Sequence, residues 1–286
     1  GISKVIEEAG YELALLEKYT EKAELLKAVA DADALIIRSD KVDAEVLDAA
    51  KQLKIVVRAG AGYDNVDLQA ATDHGVVVEN TPGQNSNAVA ELVFGMTVMA
   101  VRNMYNGTSG SELKGKTLGI HAFGQVGRNV ARIAKGFGME VSALDPYCPD
   151  EVILEAGVKS VEDLYKENQF VSLHIPATAE TKKSVGYDLV MSMPKNGVLI
   201  NTARKEVIDE EGLMKALDER PDLKYVADIK PDAADEMKAR FAGRVFFTPK
   251  KMGAQTAEAN INAGIAAANQ VVAYLRDGIN KYQVNK

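Results

Sequence analysis

The sequence predicts an α/β protein built on parallel sheets and folded as two domains. Three observations carry that prediction. Short β-branched runs alternate with amphipathic helical stretches along the chain. One of these runs opens through a small-residue turn into a helix and then a second run that ends in an acid. Finally, 286 residues exceed what one hydrophobic core usually organises.

The chain opens with GISKVIEEAGYELAL, which reads as a helix followed by a strand. An α/β domain normally enters its first helix from a strand, so about a dozen residues are expected ahead of Gly1. Strands are predicted over 34–38, 54–59 and 76–79, with an amphipathic helix over 42–51. Residues 85–103 form one long helical pattern, rich in Ala, Val, Met and Leu, that is apolar around most of its girth and should be buried on several sides. Further strands are predicted over 117–122, 140–144, 170–174, 197–201, 224–228 and 244–248, with helices over 125–136 and 209–220. No internal repeat or low-complexity segment interrupts the pattern.

Composition narrows the function. Apolar residues make up 47% and charged residues 26%, ordinary values for a globular protein in water. A formal charge of −7 argues against a general nucleic-acid binder. Cys148 is the one cysteine, which excludes an intrachain disulfide and a cysteine metal cage. The longest apolar run, 92–101, is too short to span a bilayer, and no secretory signal is expected from the opening residues. A cytoplasmic location without membrane or nucleic-acid partners is the expectation.

The segment KTLGIHAFGQVGRNVARIAKGFGMEVSALDPY carries the clearest chemistry. A strand runs into Ala122, Phe123, Gly124, Gln125, Val126 and Gly127, a helix follows, and the next strand ends in Asp145 and Pro146. Gly124 lets backbone approach a pyrophosphate, and free N–H groups at the helix start face its charge. Gly127 allows close helix–strand packing, and Asp145 is spaced to accept both hydroxyls of an adenosine ribose. Ala122 stands where the usual first glycine would be. A carboxylate at 145, with no arginine just after it, favours NAD over NADP.

VVRAGAGYDNVDLQAATDHGVVVENTPGQNSNAVAELVFGMTVMAVRN, SLHIPATAETKKSVGYDLVMSMPKNGVLINTARKEVIDEEGL and the loop above, in that order, resemble the D-2-hydroxyacid dehydrogenase family over nearly the whole chain. The resemblance implies two parallel-sheet Rossmann-like domains with the active-site cleft between them. Residues 1–84 and 259–286 would form the substrate-binding domain and 85–258 the dinucleotide-binding domain. It further implies a homodimer joined through 88–101. His174, Pro176, Thr181, Thr202, Ala203, Asp228, Gly253 and Ala254 match positions that line the family's cofactor site.

Arg204 matches the catalytic arginine, whose planar guanidinium can hold a 2-oxoacid carboxylate and polarise the carbonyl beside it. Ala59, Gly60 and Ala61 form a turn whose N–H groups could bind the same carboxylate. The acid/base histidine of the family is absent: His74, His121 and His174 all fit other places. Alignment on Gly253-Ala254 puts Lys251 at that position, whereas anchoring on Thr248-Pro249 would choose Lys250. The carboxylate that partners the histidine falls on Ala233, with Asp232 one residue short as a substitute. A lysine with an ordinary pKa of about 10.4 is a ready proton donor. Lys250, Arg204 and partial burial are expected to favour the neutral amine that oxidation needs.

Arg38, with Lys41 nearby, and Arg58 end neighbouring strands where the family's phosphoglycerate enzymes hold their phosphate. The expectation is therefore NAD-dependent interconversion of 3-phospho-D-glycerate and 3-phosphohydroxypyruvate. Two alternatives stay open: a glyoxylate/hydroxypyruvate or D-lactate enzyme on the same frame, and a non-catalytic NAD(H)-sensing binding protein.

Overall fold

The computed structural model describes residues 1–149, 157–158 and 160–285. The chain divides into two compact units, Gly1–Asn85 with Thr256–Lys286, and Ser86–Gln255.

The first unit holds three parallel strands in the order β1 (Ala34–Ile37), β2 (Ile55–Arg58), β3 (Val77–Asn80). β2 is central and its Ile55, Val56 and Val57 are solvent-free, as a strand covered on both faces requires. Side chains alternate between two cores. Val56 and Val78 pack with Leu25, Val29, Val46 and Leu47. Ile55 and Val57 pack with Ile6, Ala267, Ala268 and Val271, the last three from the long helix Ala257–Asp277. That helix starts at Thr256, whose Oγ1 accepts the N–H of Ala259, and stops at Gly278, which takes φ +68. The edge of β3 is covered by the tail. Val284 N–H donates to Val78 O, while Asn285 accepts from Val78 N–H and donates to Val76 O and Thr72 Oγ1.

One expectation fails here. The opening helix forms over Ile2–Glu8, but no strand follows it among the described residues. Gly10, at φ +79, turns the chain out of the helix, and no strand edge is hydrogen-bonded to residues 11–15. Tyr11 and Leu13 are held by packing on the Ile6–Ile55–Val57 cluster, and Leu15 is 69% exposed.

The second unit holds six parallel strands in the order β5-β4-β6-β7-β8-β9: β4 (Thr117–His121), β5 (Glu140–Leu144), β6 (Phe170–Leu173), β7 (Val198–Asn201), β8 (Lys224–Ala227) and β9 (Val245–Phe247). Leu173, Leu199 and Tyr225 face one core, while Phe170, Val198, Ile200 and Val226 face the other. The long apolar helix Ser86–Val101 joins the second core through Val93, Phe94 and Met96. Strand order reverses between β4 and β6, the switch point at whose carboxyl ends open α/β sheets bind ligands. The predicted strands and observed strands agree to within one residue at either end, since ladder pairing stops a residue before each turn. No described helix is long and apolar enough to cross a membrane.

Candidate functional site

Six residues of the second unit share one placement. Ala122, Asp145, His174, Thr202, Asp228 and Thr248 are each the first residue after β4, β5, β6, β7, β8 and β9. Ladder bonds fix four of them: Ala122 N–H to Leu144 O, His174 N–H to His121 O, Asp228 N–H to Asn201 O, and Thr248 N–H to Ala227 O. The parallel sheet therefore sets the spacing of the site before any side chain acts.

At the switch point, β4 turns through Ala122 and Phe123 into the helix Gln125–Gly136. Gly124 caps that helix with no side-chain hydrogen bond, no acid lies in the first turn, and a Cβ built on Gly124 would meet nothing within 4 Å. The N–H groups of Gln125 and Val126 thus begin a helix whose start is open to an anion. Gly127 is a different case, because a Cβ there would stand 2.4 Å from Ala122 O. Asp145 closes the loop: Oδ2 accepts Phe123 N–H at 2.7 Å and Oδ1 accepts Tyr147 N–H at 2.9 Å across Pro146. Each oxygen retains a lone pair for a ribose hydroxyl. Ala122 takes φ +79, a conformation that glycine adopts freely and alanine only under strain.

Two histidines stand at strand ends, His121 as the last residue of β4 and His174 as the first after β6. His174 Nε2 meets Ser172 Oγ at 2.9 Å, and its Nδ1 faces Thr202 Oγ1 at 3.5 Å. Burial, with His121 nearby, pushes the His174 pKa down to about 3. His121 Nδ1 meets Tyr165 Oη at 3.2 Å, and burial pushes its pKa down to about 4. Both imidazoles are neutral at pH 7. Beyond them, Thr181 donates to Pro176 O and accepts Thr178 N–H, so its hydroxyl holds the turn itself.

Arg204 stands in a turn that Asn201 staples on both sides. Asn201, fully buried, accepts Ala203 N–H at 2.9 Å and donates to Arg204 O at 2.9 Å. Arg204 Nη1 donates to Ala203 O at 3.0 Å, and Lys251 Nζ donates to the same oxygen at 3.3 Å. The two cations expected to act on one substrate therefore meet at a single backbone carbonyl. Lys250 makes no such bond and is exposed. Lys251 as a whole residue is exposed, while the bond from its Nζ to Ala203 O is partly buried.

Asp228 places the turn that carries Lys251. It is 1% exposed; Oδ1 accepts Thr248 Oγ1–H at 2.9 Å and Met252 N–H at 2.7 Å, and Oδ2 accepts Gly253 N–H at 2.7 Å. A Cβ on Gly253 would lie 2.9 Å from that Oδ2, so the close approach requires glycine, with Ala254 following. Asp232, expected as the stand-in carboxylate, is engaged instead by Lys205 at 2.5 Å and is 80% exposed. Glu210 accepts the N–H groups of Asp232 and Ala233, fixing that loop from its far side. Asn201 and Thr248 went unnoticed in the sequence; the one available signal was a polar residue at the end of each apolar strand.

In the first unit, Arg38 and Arg58 follow or end β1 and β2, and Arg58 Nε donates to Arg38 O at 3.0 Å. Burial first, and then Arg38, lowers the Arg58 pKa. Ala59 N–H bonds to Ile37 O, Gly60 N–H to Arg58 O, and Asn80 Nδ2 donates to Ala61 O. Gly60 has φ +151, and a Cβ there would collide with the Arg58 guanidinium at 1.6 Å. The Arg58 guanidinium thus lies against a tight glycine turn, with Arg38 at the end of the neighbouring strand.

The profile of the D-isomer specific 2-hydroxyacid dehydrogenase catalytic domain matches residues 2–285. A D-3-phosphoglycerate dehydrogenase of Methanocaldococcus jannaschii is 37% identical over 300 residues, covering 99% of this chain and 57% of that protein. A hydroxypyruvate reductase of Thermotoga maritima is 36% identical over 281 residues, covering 91% of this chain and 90% of that protein. The crystal structure of NAD+-bound 3-phosphoglycerate dehydrogenase of Entamoeba histolytica superposes with a TM-score of 0.87 at 47% identity, covering 100% of this chain and 93% of that one.

Two expectations follow from this geometry. Ala122→Gly relieves a positive φ and should stabilise the protein by up to about 1 kcal/mol in chemical denaturation; a loss of stability would show that Ala122 is unstrained. The histidines give an acid dependence. Their folded pKa values of about 4 and 3 lie below the unfolded value of 6.5, so below that value the unfolded chain binds more protons. Stability should therefore fall as pH drops from about 6.5 toward 4, and His121→Gln should flatten that slope; an unchanged slope would refute the assignment.

Proposed function

The chain belongs to the D-isomer specific 2-hydroxyacid dehydrogenases, and from that premise we propose that it oxidises 3-phospho-D-glycerate to 3-phosphohydroxypyruvate with NAD. The observation that carries the reading is the meeting of Arg204 and Lys251 at the Ala203 carbonyl.

The residues at the switch point fit a dinucleotide. The uncapped start of the helix Gln125–Gly136 is open to a pyrophosphate, and Asp145 stands ready for the ribose hydroxyls. NAD, when bound, supplies the hydride acceptor. The carboxylate of Asp145 favours it over its 2′-phosphorylated form.

Arg204 binds and polarises. Nη1 is engaged at Ala203 O, while its Nε and Nη2 make no hydrogen bond among the described residues, leaving an edge that matches a carboxylate. Lys251 moves the proton: the C2 hydroxyl proton passes to its neutral amine while the C2–O bond becomes a carbonyl. In reduction the ammonium returns that proton to the oxygen. The neutral, buried imidazoles of His121 and His174 are poor candidates for that step at neutral pH. Arg38 and Arg58 are assigned to the substrate phosphate.

A second reading has a specific observation behind it. The Thermotoga maritima hydroxypyruvate reductase matches along 90% of its own length, whereas 57% of the Methanocaldococcus jannaschii protein is spanned. Reduction of hydroxypyruvate or glyoxylate needs the same Arg204 and Lys251 but no phosphate anchor. Self-association belongs to the same proposal: Leu92, Gly95, Val98 and Met99 form the less buried stripe of the helix Ser86–Val101.

Lys251→Ala should lower kcat by about 10²–10⁴-fold while Lys250→Ala leaves it within about threefold. Oxidation by the unaltered protein should accelerate between about pH 7 and 10 as the neutral amine accumulates. Equal losses at both lysines, or a flat profile, would remove Lys251 from the role; no turnover with any 2-hydroxy acid would favour an NAD(H)-sensing protein. Arg38→Ala should raise KM for 3-phospho-D-glycerate by about 10–100-fold and leave hydroxypyruvate reduction unchanged. An unchanged KM would favour the non-phosphorylated substrates.

A further inference from the structure

The helix Gln125–Gly136 carries a cation where its own field disfavours one. Arg128 closes its first turn, and the positive end of a helix favours anions over guanidinium groups. No acid in that turn offsets the charge. Arg128 is exposed, yet its side chain reaches back over the glycine turn. Nε donates to Phe123 O at 3.2 Å in a partly buried bond, and Nη2 meets Cys148 Sγ at 3.7 Å. Sulfur is a weak acceptor, so the carbonyl is the stronger of the two contacts.

Phe123 is thereby held at both of its backbone polar groups. Its N–H donates to Asp145 Oδ2 at 2.7 Å, its C=O accepts from Arg128, and its ring is buried in the core. The peptide joining Phe123 to Gly124 is trans, so its C=O and N–H point in opposite directions. Drawing Phe123 O to Arg128 therefore turns Gly124 N–H to the other side. That N–H donates to no group among the described residues, and a Cβ on Gly124 would meet nothing within 4 Å. With the carbonyl engaged, a lone oxygen does not compete with the free N–H groups at the helix start for the space an anion would take.

We propose that Arg128 is a positioning residue for the dinucleotide: by holding the Phe123 carbonyl, it aims the Gly124 N–H at the pyrophosphate. Arg128 has this part only on the reading that the turn holds a dinucleotide.

The test titrates ADP-ribose, which has the pyrophosphate, and adenosine, which lacks it, into the whole protein by calorimetry. Arg128→Met should raise the Kd of ADP-ribose about tenfold and that of adenosine by less than about twofold. Arg128→Gln places a neutral N–H donor the same number of bonds from Cα as the arginine Nε. It should bind ADP-ribose within about threefold of the unaltered protein, and so should Cys148→Ala. Should the methionine variant fail to fold, Arg128→Ala serves the same comparison. Equal losses of both ligands in the methionine variant would mean a general collapse of the site. A loss in the glutamine variant as large as in the methionine variant would make the effect one of charge. A tenfold loss in Cys148→Ala would pass the role to the sulfur, and full affinity in Arg128→Met would leave the arginine without a role; each of these four results overturns the proposal. An unaltered protein that binds neither ligand would overturn the dinucleotide reading itself, and the part of Arg128 with it.

Discussion

The carboxylate of Asp228 holds the strand-end turns of the candidate site in the second unit in place. It is out of solvent and receives three hydrogen bonds, from the Thr248 hydroxyl and from the main chain of Met252 and Gly253. Each bond ties the end of β8 to the segment that leaves β9, so the intervening residues have little freedom. Leaving a buried donor of this kind unpaired costs about 1–3 kcal/mol, more than the turn could recover by moving. Lys251 lies inside the clamped segment, one residue ahead of Met252, so the clamp sets the path of its backbone.

A second clamp works across the neighbouring strand. Asn201 is buried at the end of β7, accepts from Ala203 and donates to Arg204, with the Tyr225 hydroxyl at 3.4 Å behind it. Its two bonds orient the peptide whose oxygen receives both cations. The two clamps are themselves joined, because Asp228 N–H bonds to Asn201 O in the sheet ladder. Parallel strands ending at one level thus become a rigid bracket, and the flexible side chains of Arg204 and Lys251 are aimed by backbone that cannot drift.

Much of the frame was legible in the sequence. Every strand of both sheets shows as a β-branched run, and the glycine loop with Asp145 declares itself by residue type and spacing. The segment 11–15 failed because its alternation of apolar residues resembles a strand, while pairing depends on a partner that periodicity cannot name. Asn201 and Thr248 were missed because a polar residue ending an apolar run is common, and only hydrogen-bond geometry separates a clamp from a surface group. Asp232, one position from the expected carboxylate, pairs with Lys205 and faces solvent, a placement that its number in the chain does not reveal. The choice between Lys250 and Lys251 rests on alignment in the sequence; of the two, Lys251 reaches the Ala203 carbonyl.

That shared acceptor belongs to the main chain, which has a consequence for how this site can vary. No change of codon at position 203 deletes its oxygen; substitutions there alter only bulk, in a spot where Ala203 is 8% exposed. Variation at 203 is therefore governed by volume and not by polarity. At position 251 the governing quantity is reach. The lysine extends a four-carbon stem whose Nζ meets the carbonyl at 3.3 Å. A shortened side chain at 251 would keep that contact only if the clamped turn moved closer, so the length of residue 251 and the path of its loop are set together.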